Sequence, residues 1–246
     1  KTQKIDLIYA VTTATTKVVS EITGSIPIVF TVVGDPIGSG FIKSFTEPDG
    51  NITGCTNLSA QLSAKRLEIF KEAFGEKSAK TLRFVFFYNP TNSISQASLD
   101  ISREAAVKLG NIKLDAIPIK NKNELTKALA ALKPGVYDGV INAPDGSILI
   151  YFGDIAARAT ALKIPIMAHE DTFVNEGATI SYGANFYQAG KQCSRLGDKI
   201  LNGALPKDIP VETPAELELV VSVKKAKEIG LSFPQGFLEK ANFLIK

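Results

Sequence analysis

Two cysteines and one histidine are all that this 246-residue chain has of the residues that most often hold metals. Cys55 and Cys193 make no C-x-x-C pair and have no neighbouring histidine, and His169 cannot build a metal site alone, so no metal is expected. Long apolar runs are missing as well. A membrane-spanning helix needs about 18 or more apolar residues in a row, and no stretch approaches that. No charged-then-apolar secretory leader opens the chain, which reads as either a cytosolic protein or a processed or trimmed one. The formal net charge of +3 is spread along the chain without a basic stripe, so nucleic acid is not an expected partner. Gly34, Gly38 and Gly40 do not make G-x-G-x-x-G, and no phosphate-binding G-x-x-x-x-G-K-[ST] occurs. G-x-S-x-G is also absent, which weakens a hydrolase. No cofactor is expected.

What is present is a regular alternation. Hydrophobic residues make up 45% of the chain, enough for a sizeable core. Apolar, strand-like runs stand at "IDLIYA" (5–10), "IPIVFTVV" (26–33), "LRFVFFYN" (82–89), "IKLDAIPI" (112–119), "YDGVINA" (137–143) and "KIPIMA" (163–168). A short β-prone run, "NITGCTN", covers 51–57. Helical patterns lie between them: 12–22, 60–74 with Leu62, Arg66, Ile69 or Phe70, and Ala73 on one stripe, 93–110, 123–132 and 147–162. Ser93 and Gln96 stand in capping-box spacing at the start of the third of these. Strands alternating with helices predict an α/β fold of βαβ units with parallel sheets.

The chain also echoes itself. "KIDLIYAVTTAT…SIPIVFTVV…NITGCTNLSAQL" and "VYDGVINAPDGS…KIPIMAHED…ATISYGANFYQA" run through the same order of strand, loop, helix, Ile-Pro-Ile strand, loop and short strand. Asp6 matches Asp138, Thr12 and Thr13 fall opposite Pro144 and Asp145, and Asn57 matches Asn185. This order predicts two similar Rossmann-like lobes. The second half carries two further βα units ahead of its Asp138, from Leu82 to Lys133, so the first lobe is expected to be incomplete by about fifty residues. An incomplete sheet exposes a strand edge, and a second copy of the chain is one partner that would cover it.

In open parallel sheets, ligands sit beyond the carboxyl ends of the strands. The segments there are "VTTAT" (11–15), "VGDP" (33–36), "YNPTNS" (88–93), "APDGS" (143–147) and "HED" (169–171). They nominate Thr12, Thr13, Gly34 and Asp35 on the first lobe, and Asn89, Thr91, Asn92, Ser93, Asp145 and Tyr182 on the second. Asp35 or Asp145 would receive an ammonium group, and Thr and Ser at helix starts would receive a carboxylate. Each residue also has a plainer role available. Asp35 in Gly-Asp-Pro can cap its own turn, and Asn57 and Asn185 can be helix caps. An enzyme alternative is a cofactor-independent amino-acid racemase using Cys55 and Cys193, one thiol removing the α-proton and the other returning it. Ala189, Cys193, Leu196 and Ile200 follow helical spacing, which turns Cys193 toward a core and argues against it.

Three stretches resemble a known family: "SIPIVFTVVGDPIGSGFIKSFTEPDGNITGCTNLSAQLSAKRLEIFKEAFG", "GATISYGANFYQAGKQCSRLGDKILNGALPKDIPVE" and "ELELVVSVKKAKEIGLSFP". They look like ABC transporter substrate-binding proteins of the tryptophan/tyrosine type. The resemblance implies a type I periplasmic-binding-protein fold of two lobes joined by three hinge crossings, which closes on a small ligand such as an aromatic or other amino acid. It implies an extracytoplasmic, often lipid-anchored protein that delivers its ligand to a membrane permease and performs no catalysis. A ligand-sensing domain of a receptor is the other role for such a fold. Hinge strands are expected at 51–57 and 178–184, with Asn57 beside the first. The first lobe is then residues 1–57 with 185–210, and the second is 58–184 with 211–246.

Overall fold

The computed structural model describes residues 4–246; residues 1–3, with which the predicted first lobe starts, lie outside the described residues. The first half of the chain forms β1 (Ile8–Val11), α1 (Thr13–Ile22), β2 (Ile28–Val33), β3 (Ile52–Thr56), α2 (Ser63–Ala73), β4 (Leu82–Tyr88), α3 (Ser93–Leu109), β5 (Ile112–Pro118) and α4 (Lys122–Ala131). The second half forms β6 (Gly139–Asn142), α5 (Gly146–Leu149), α6 (Phe152–Ala161), β7 (Ile166–Ala168), α7 (Thr172–Asn175), β8 (Ile180–Ala184), α8 (Phe186–Leu201), β9 (Leu217–Ser222), α9 (Val223–Glu228), α10 (Gln235–Leu238) and β10 (Phe243–Ile245). These elements fall into two compact units. Unit 1 takes the chain up to Ser59 and again Ala184–Leu217; unit 2 takes Ala60–Gly183 and Glu218–Lys246.

Unit 1 holds a parallel sheet in the order β1-β2-β3, with Ile8 opposite Ile28 and Ile28 opposite Ile52. Successive side chains of β2 point to opposite faces. Ile28 and Phe30 join Ala10, Ile42 and Ile52 in one cluster, against which Val19 of α1 packs. Val29 joins Cys55 in another, closed by Cys193, Leu196 and Ile200 of α8. The predicted helical stripe through Ala189, Cys193, Leu196 and Ile200 is therefore the buried side of α8. The segment 211–217 belongs to this unit, whereas the sequence pattern placed it with the second lobe. Backbone pairing explains the difference: Glu212 bridges Cys55 in parallel and donates its N–H to the Gly54 carbonyl at 3.0 Å.

Unit 2 is built on a sheet ordered β10-β9-β8-β7-β6-β4-β5. The pairs β4–β5, β4–β6, β6–β7, β7–β8 and β9–β10 are parallel. Both faces are covered, which is why Phe84–Phe87 of β4 reads as an unbroken apolar run. Phe84 and Phe86 pack with Leu67, Phe70 and Leu99 on one side. Val85 and Phe87 pack with Ile148, Phe152 and Ile155 on the other. Each such buried side chain contributes roughly 1.5–3 kcal/mol relative to an exposed one. Within unit 2, the neighbours β6, β7 and β8 repeat the order of β1, β2 and β3, which gives the internal echo a structural counterpart.

Two local readings change. The cap of α3 is Asn92, whose Oδ1 accepts the Ser95 N–H at 3.0 Å, in place of a box formed by Ser93 and Gln96; Gln96 instead donates to Asp100. Asparagine is among the strongest N-cap residues, and it precedes the serine. The helix expected over 147–162 is two helices, α5 and α6, interrupted at Ile150 and Tyr151. Among the described residues no helix is long and apolar enough to cross a membrane.

Gly54 of β3 has no room for a side chain, since a Cβ would overlap the Phe30 carbonyl and the Phe30 ring. Overpacking of this kind costs about 1–3 kcal/mol. Gly54→Ala is therefore expected to reduce the unfolding free energy by that amount and to lower the urea midpoint accordingly; an unchanged midpoint would show that the strand is free to shift.

Candidate functional site

Parallel pairing sends β4 and β6 out through the same edge of unit 2, and the polar residues beyond them are tied together. Asn89 donates from Nδ2 to Ser147 Oγ at 2.9 Å, while its Oδ1 accepts from the Thr91 N–H at 3.0 Å and the Thr91 hydroxyl at 2.8 Å. The Asn89 N–H donates to Ser95 Oγ at 2.7 Å. Asn92 donates from Nδ2 to Asp145 Oδ1 at 3.3 Å, and the same oxygen accepts the Ser147 N–H at 3.0 Å. Four of the nominated residues, Asn89, Thr91, Asn92 and Asp145, are thus brought into one hydrogen-bonded rim. Ser93 stands exposed beside them in the first turn of α3. The carboxylate of Asp145 is used unevenly. Asp145 is only 4% exposed, Oδ1 is committed, and Oδ2 has no hydrogen-bond partner among the described residues. A buried anionic oxygen without a donor costs several kcal/mol, which makes this atom the most demanding feature of the rim.

Tyr182 lies on β8. Its ring packs partly buried against the Phe84 and Phe86 side of the sheet, and its carbonyl accepts from Arg66 Nε at 2.8 Å. Arg66 occupies the apolar stripe of α2 and is buried there. Burial pushes its pKa down to about 9, which leaves it a cation at neutral pH. His169, in the loop after β7, is held neutral: burial first, and then the charge of Arg66, lower its pKa to about 3. Its ring stands 5.3 Å from that of Phe173. Burial raises the pKa of the neighbouring Glu170, partly offset by the Thr172 hydroxyl, which donates to it at 2.7 Å. Asn142, at the end of β6, is 6% exposed and has no partner at either end of its amide among the described residues. The sequence pattern did not nominate Arg66, His169 or Asn142. A polar residue closing the apolar run "VIN" and a cation on an apolar stripe were the available signals.

Unit 1 presents a second set at the carboxyl ends of its three strands. Thr12 caps α1, its hydroxyl accepting the Thr15 N–H at 3.5 Å, and Thr13 opens that helix. Gly34 is buried, and Asp35 turns its Oδ1 onto the Gly38 N–H at 2.9 Å. A Cβ on Gly38 would overlap the Asp35 carboxylate, so "GDPIG" is a self-capped turn and one oxygen of Asp35 serves the turn itself. Asn57 is buried and accepts the Ser59 N–H at 3.3 Å, a turn inside the loop; α2 begins later, after Leu62. Asn185, its echo, does cap α8 and accepts the Gln188 N–H at 3.0 Å. The backbone here is strained. Thr12, Val32 and Leu58, each within two residues of the end of β1, β2 or β3, have φ of 80°, 56° and 51°. A β-branched residue such as Val32 is rarely found there, and such residues concentrate at ligand-binding sites.

Cys55 and Cys193 form a disulfide, with Cα atoms 5.8 Å apart, and no cysteine is free. Both lie in unit 1. This overturns the two-thiol racemase: the sulfurs stand together in one unit, and a disulfide has no thiolate to remove a proton. Among the described residues no group of three or more His, Cys, Asp or Glu side chains is placed to hold a metal ion. The unit 2 rim offers amides, hydroxyls, the helix N–H groups of α3 and one under-used carboxylate.

A sequence profile of the family described as ABC transporter substrate binding protein matches residues 1–244. The chain belongs to this family. It is 30% identical over 93% of its length to a tyrosine-binding protein of Clostridioides difficile, of which it spans 64%. Among solved structures it resembles a conserved domain protein from Vibrio cholerae, at 25% identity and a TM-score of 0.87 over 97% of this chain and 78% of that one. It also resembles the ligand-free, open structure of a substrate binding protein with adhesive properties from Clostridium difficile. That match has 27% identity and a TM-score of 0.71 over 97% of this chain and 77% of that one. A Streptococcus pneumoniae ABC domain in complex with L-Trp has the same fold, with 22% identity and a TM-score of 0.85 over 98% of this chain and 81% of that one. The architecture is that of the type I periplasmic binding proteins.

The neutral state of His169 has a measurable consequence for the family fold in this chain. Its folded pKa lies below the ordinary value of 6.5, so the unfolded chain binds more protons as pH falls from about 6.5 toward about 3. Stability should therefore decline through that window, by about 1.4 kcal/mol per pH unit where the proton difference is complete. Glu170, with a raised carboxyl pKa, contributes the opposite slope. Urea unfolding at pH 6.5 and 5 should show the decline in the native chain and a smaller one in His169→Gln; equal slopes would place the imidazole in contact with water.

Proposed function

We propose that the protein captures a free amino acid, with preference for an aromatic side chain, outside the cytoplasm and delivers it to an ABC permease without chemical turnover. One observation carries the ligand class: Asp145 keeps a buried carboxylate oxygen without a donor, at the rim where the strands of unit 2 end. An ammonium group supplies the missing donors and the opposite charge. Asn89, Thr91 and Asn92 hold that carboxylate's surroundings in place. Ser93 with α3 supplies a hydroxyl and helix N–H groups of the kind that receive a carboxylate; within unit 1, Thr12 and Thr13 with α1 present groups of the same kind. Gly34 and Asn57 shape the unit 1 rim, and Asp35 serves its turn. Tyr182, toward the carboxyl end of β8, is the aromatic residue assigned to the ligand side chain in this reading.

The family supports solute binding, and the tyrosine-binding relative and the L-Trp complex favour an aromatic amino acid. The chain spans less than two thirds of that relative, so ligand, permease and transport all stand as parts of the proposal. A disulfide agrees with an extracytoplasmic site, because such bonds persist in oxidising compartments.

The chain has no tryptophan, so the emission of added L-tryptophan reports its own binding, and tyrosine can then be titrated as a competitor. Asp145→Asn keeps a good N-cap and removes only the charge. Losing a charge-assisted hydrogen bond costs about 1.5–3 kcal/mol, so this variant should bind about tenfold to a hundredfold more weakly. Asp35→Asn should stay within about twofold, the change expected of a turn residue. Failure of both amino acids to bind, or equal affinity of Asp145→Asn and the native chain, would reject the ammonium site.

A further inference from the structure

The proposed binding chemistry makes no use of the one covalent cross-link in the chain. Cys55 on β3 and Cys193 on α8 are 2% and 0% exposed. They sit in the middle of the cluster made by Val29, Leu196, Ile200 and Ile209. Along the chain the two cysteines are 138 residues apart, and Ala60–Gly183 of unit 2 lies between them. Unit 2 shortens that path by its own folding. Arg66, near the start of α2, donates to the carbonyl of Tyr182 on β8 at 2.8 Å. Cys55 stands eleven residues before Arg66, and Cys193 eleven residues after Tyr182. Once unit 2 is folded, the loop that pairing must close falls from 138 residues to about two dozen, which favours encounter by about fifteenfold.

We propose that the disulfide is a redox gate on unit 1. Unit 2 folds in the dithiol form and brings the two thiols within reach of each other; oxidation then fastens α8 onto β2 and β3. Unit 1 is ordered only after that step, so ligand capture is confined to an oxidising compartment. The chemistry is thiol–disulfide exchange. One cysteine thiolate attacks the disulfide of an oxidised partner, either a small-molecule disulfide or a thiol oxidoreductase, and displaces one of its sulfurs as a thiolate. The second cysteine thiolate then attacks the mixed disulfide, forms the Cys55–Cys193 bond and releases the other sulfur. The protein gives up two electrons and two protons, and the partner ends as two thiols.

The full chain is reduced with a phosphine, and the dithiol form is identified by a mass gain of two hydrogens. Hydrogen exchange followed by mass spectrometry is then compared between the two forms. Segments 28–33, 52–56 and 186–201 should lose protection at least tenfold on reduction, while 82–88 and 139–142 keep theirs. Unit 1 segments that stay protected, or a loss shared equally by unit 2, would overturn the gate. A Cys55→Ala/Cys193→Ala double variant should exchange like the reduced form and ignore reductant; native-like protection in this variant would overturn the gate as well. In oxidised glutathione, thiols should disappear about fifteenfold faster from the folded reduced chain than from the chain in urea. Equal rates would remove the contribution of unit 2. None of these measurements contains an amino-acid ligand, so their failure leaves the binding site standing, and the reverse also holds.

Discussion

Parallel strand pairing is the constraint from which the rest follows. Each strand of a parallel sheet enters at one edge and leaves at the other, so every crossover must return across a face. The faces are thereby covered, and the strands become apolar on both sides, as Phe84, Val85, Phe86 and Phe87 are in β4. Polar residues are kept out of stretches such as Phe84–Phe87 and are frequent in the loops at the exit edge, where helices α1 and α3 also begin. Two general features assemble such a rim. Chain direction and hydrogen bonding do it, once in unit 1 through β1, β2 and β3 and again in unit 2 through β4 and β6.

Within the unit 2 rim, two similar asparagines do different work. Asn89 locks a turn and reaches Ser147, so that the loops after β4 and β6 hold one another. Asn92 caps α3 through Oδ1 and passes its amide hydrogens to Asp145. Asp145 is therefore oriented by donors that approach one oxygen only, and its second oxygen keeps its full demand for a partner. Asp35 shows the contrast. It follows a strand end in the same way, but its carboxylate folds back onto Gly38, and it lies in a less buried loop. The two aspartates look equivalent in sequence, and their hydrogen bonds separate them.

Much of the fold was legible because its signals are local. The alternation of strands and helices, the buried stripe of α8 and the repeat of β1-β2-β3 in β6-β7-β8 depend on spacing and order alone. The polar strand ends could be nominated because a parallel sheet has only one exit edge. What could not be read depends on which atom meets which. The Ser93 and Gln96 spacing suggested a capping box, but the preceding Asn92 offers a better acceptor and takes the role. The 211–217 segment has no strong pattern of its own, and its place comes from pairing at Cys55 and Gly54, far away in sequence. Arg66 sits on an apolar helical stripe, where an arginine looks like a misfit; its partner is a carbonyl on β8, 116 residues further along the chain. The pairing of Cys55 with Cys193 is long-range in the same sense.

Energetics explain why the proposed binding rim should contain an under-satisfied carboxylate at all. Burying an aromatic side chain removes about 150–250 Å² from water, worth roughly 4–6 kcal/mol at about 25 cal/mol per Å². Micromolar affinity needs about 8 kcal/mol after the costs of association have been met. Apolar contact falls short, and charged groups of the ligand must supply the remainder. A flexible, solvated carboxylate would spend much of its attraction on shedding water and freezing rotamers. Asp145 has met those costs on folding, through Asn92 and the Ser147 N–H, and the stability of the unit 2 core bears them. In the proposed function the same oxygen that costs the fold stability is the one that gains most when an ammonium group arrives, so local instability and affinity have one source.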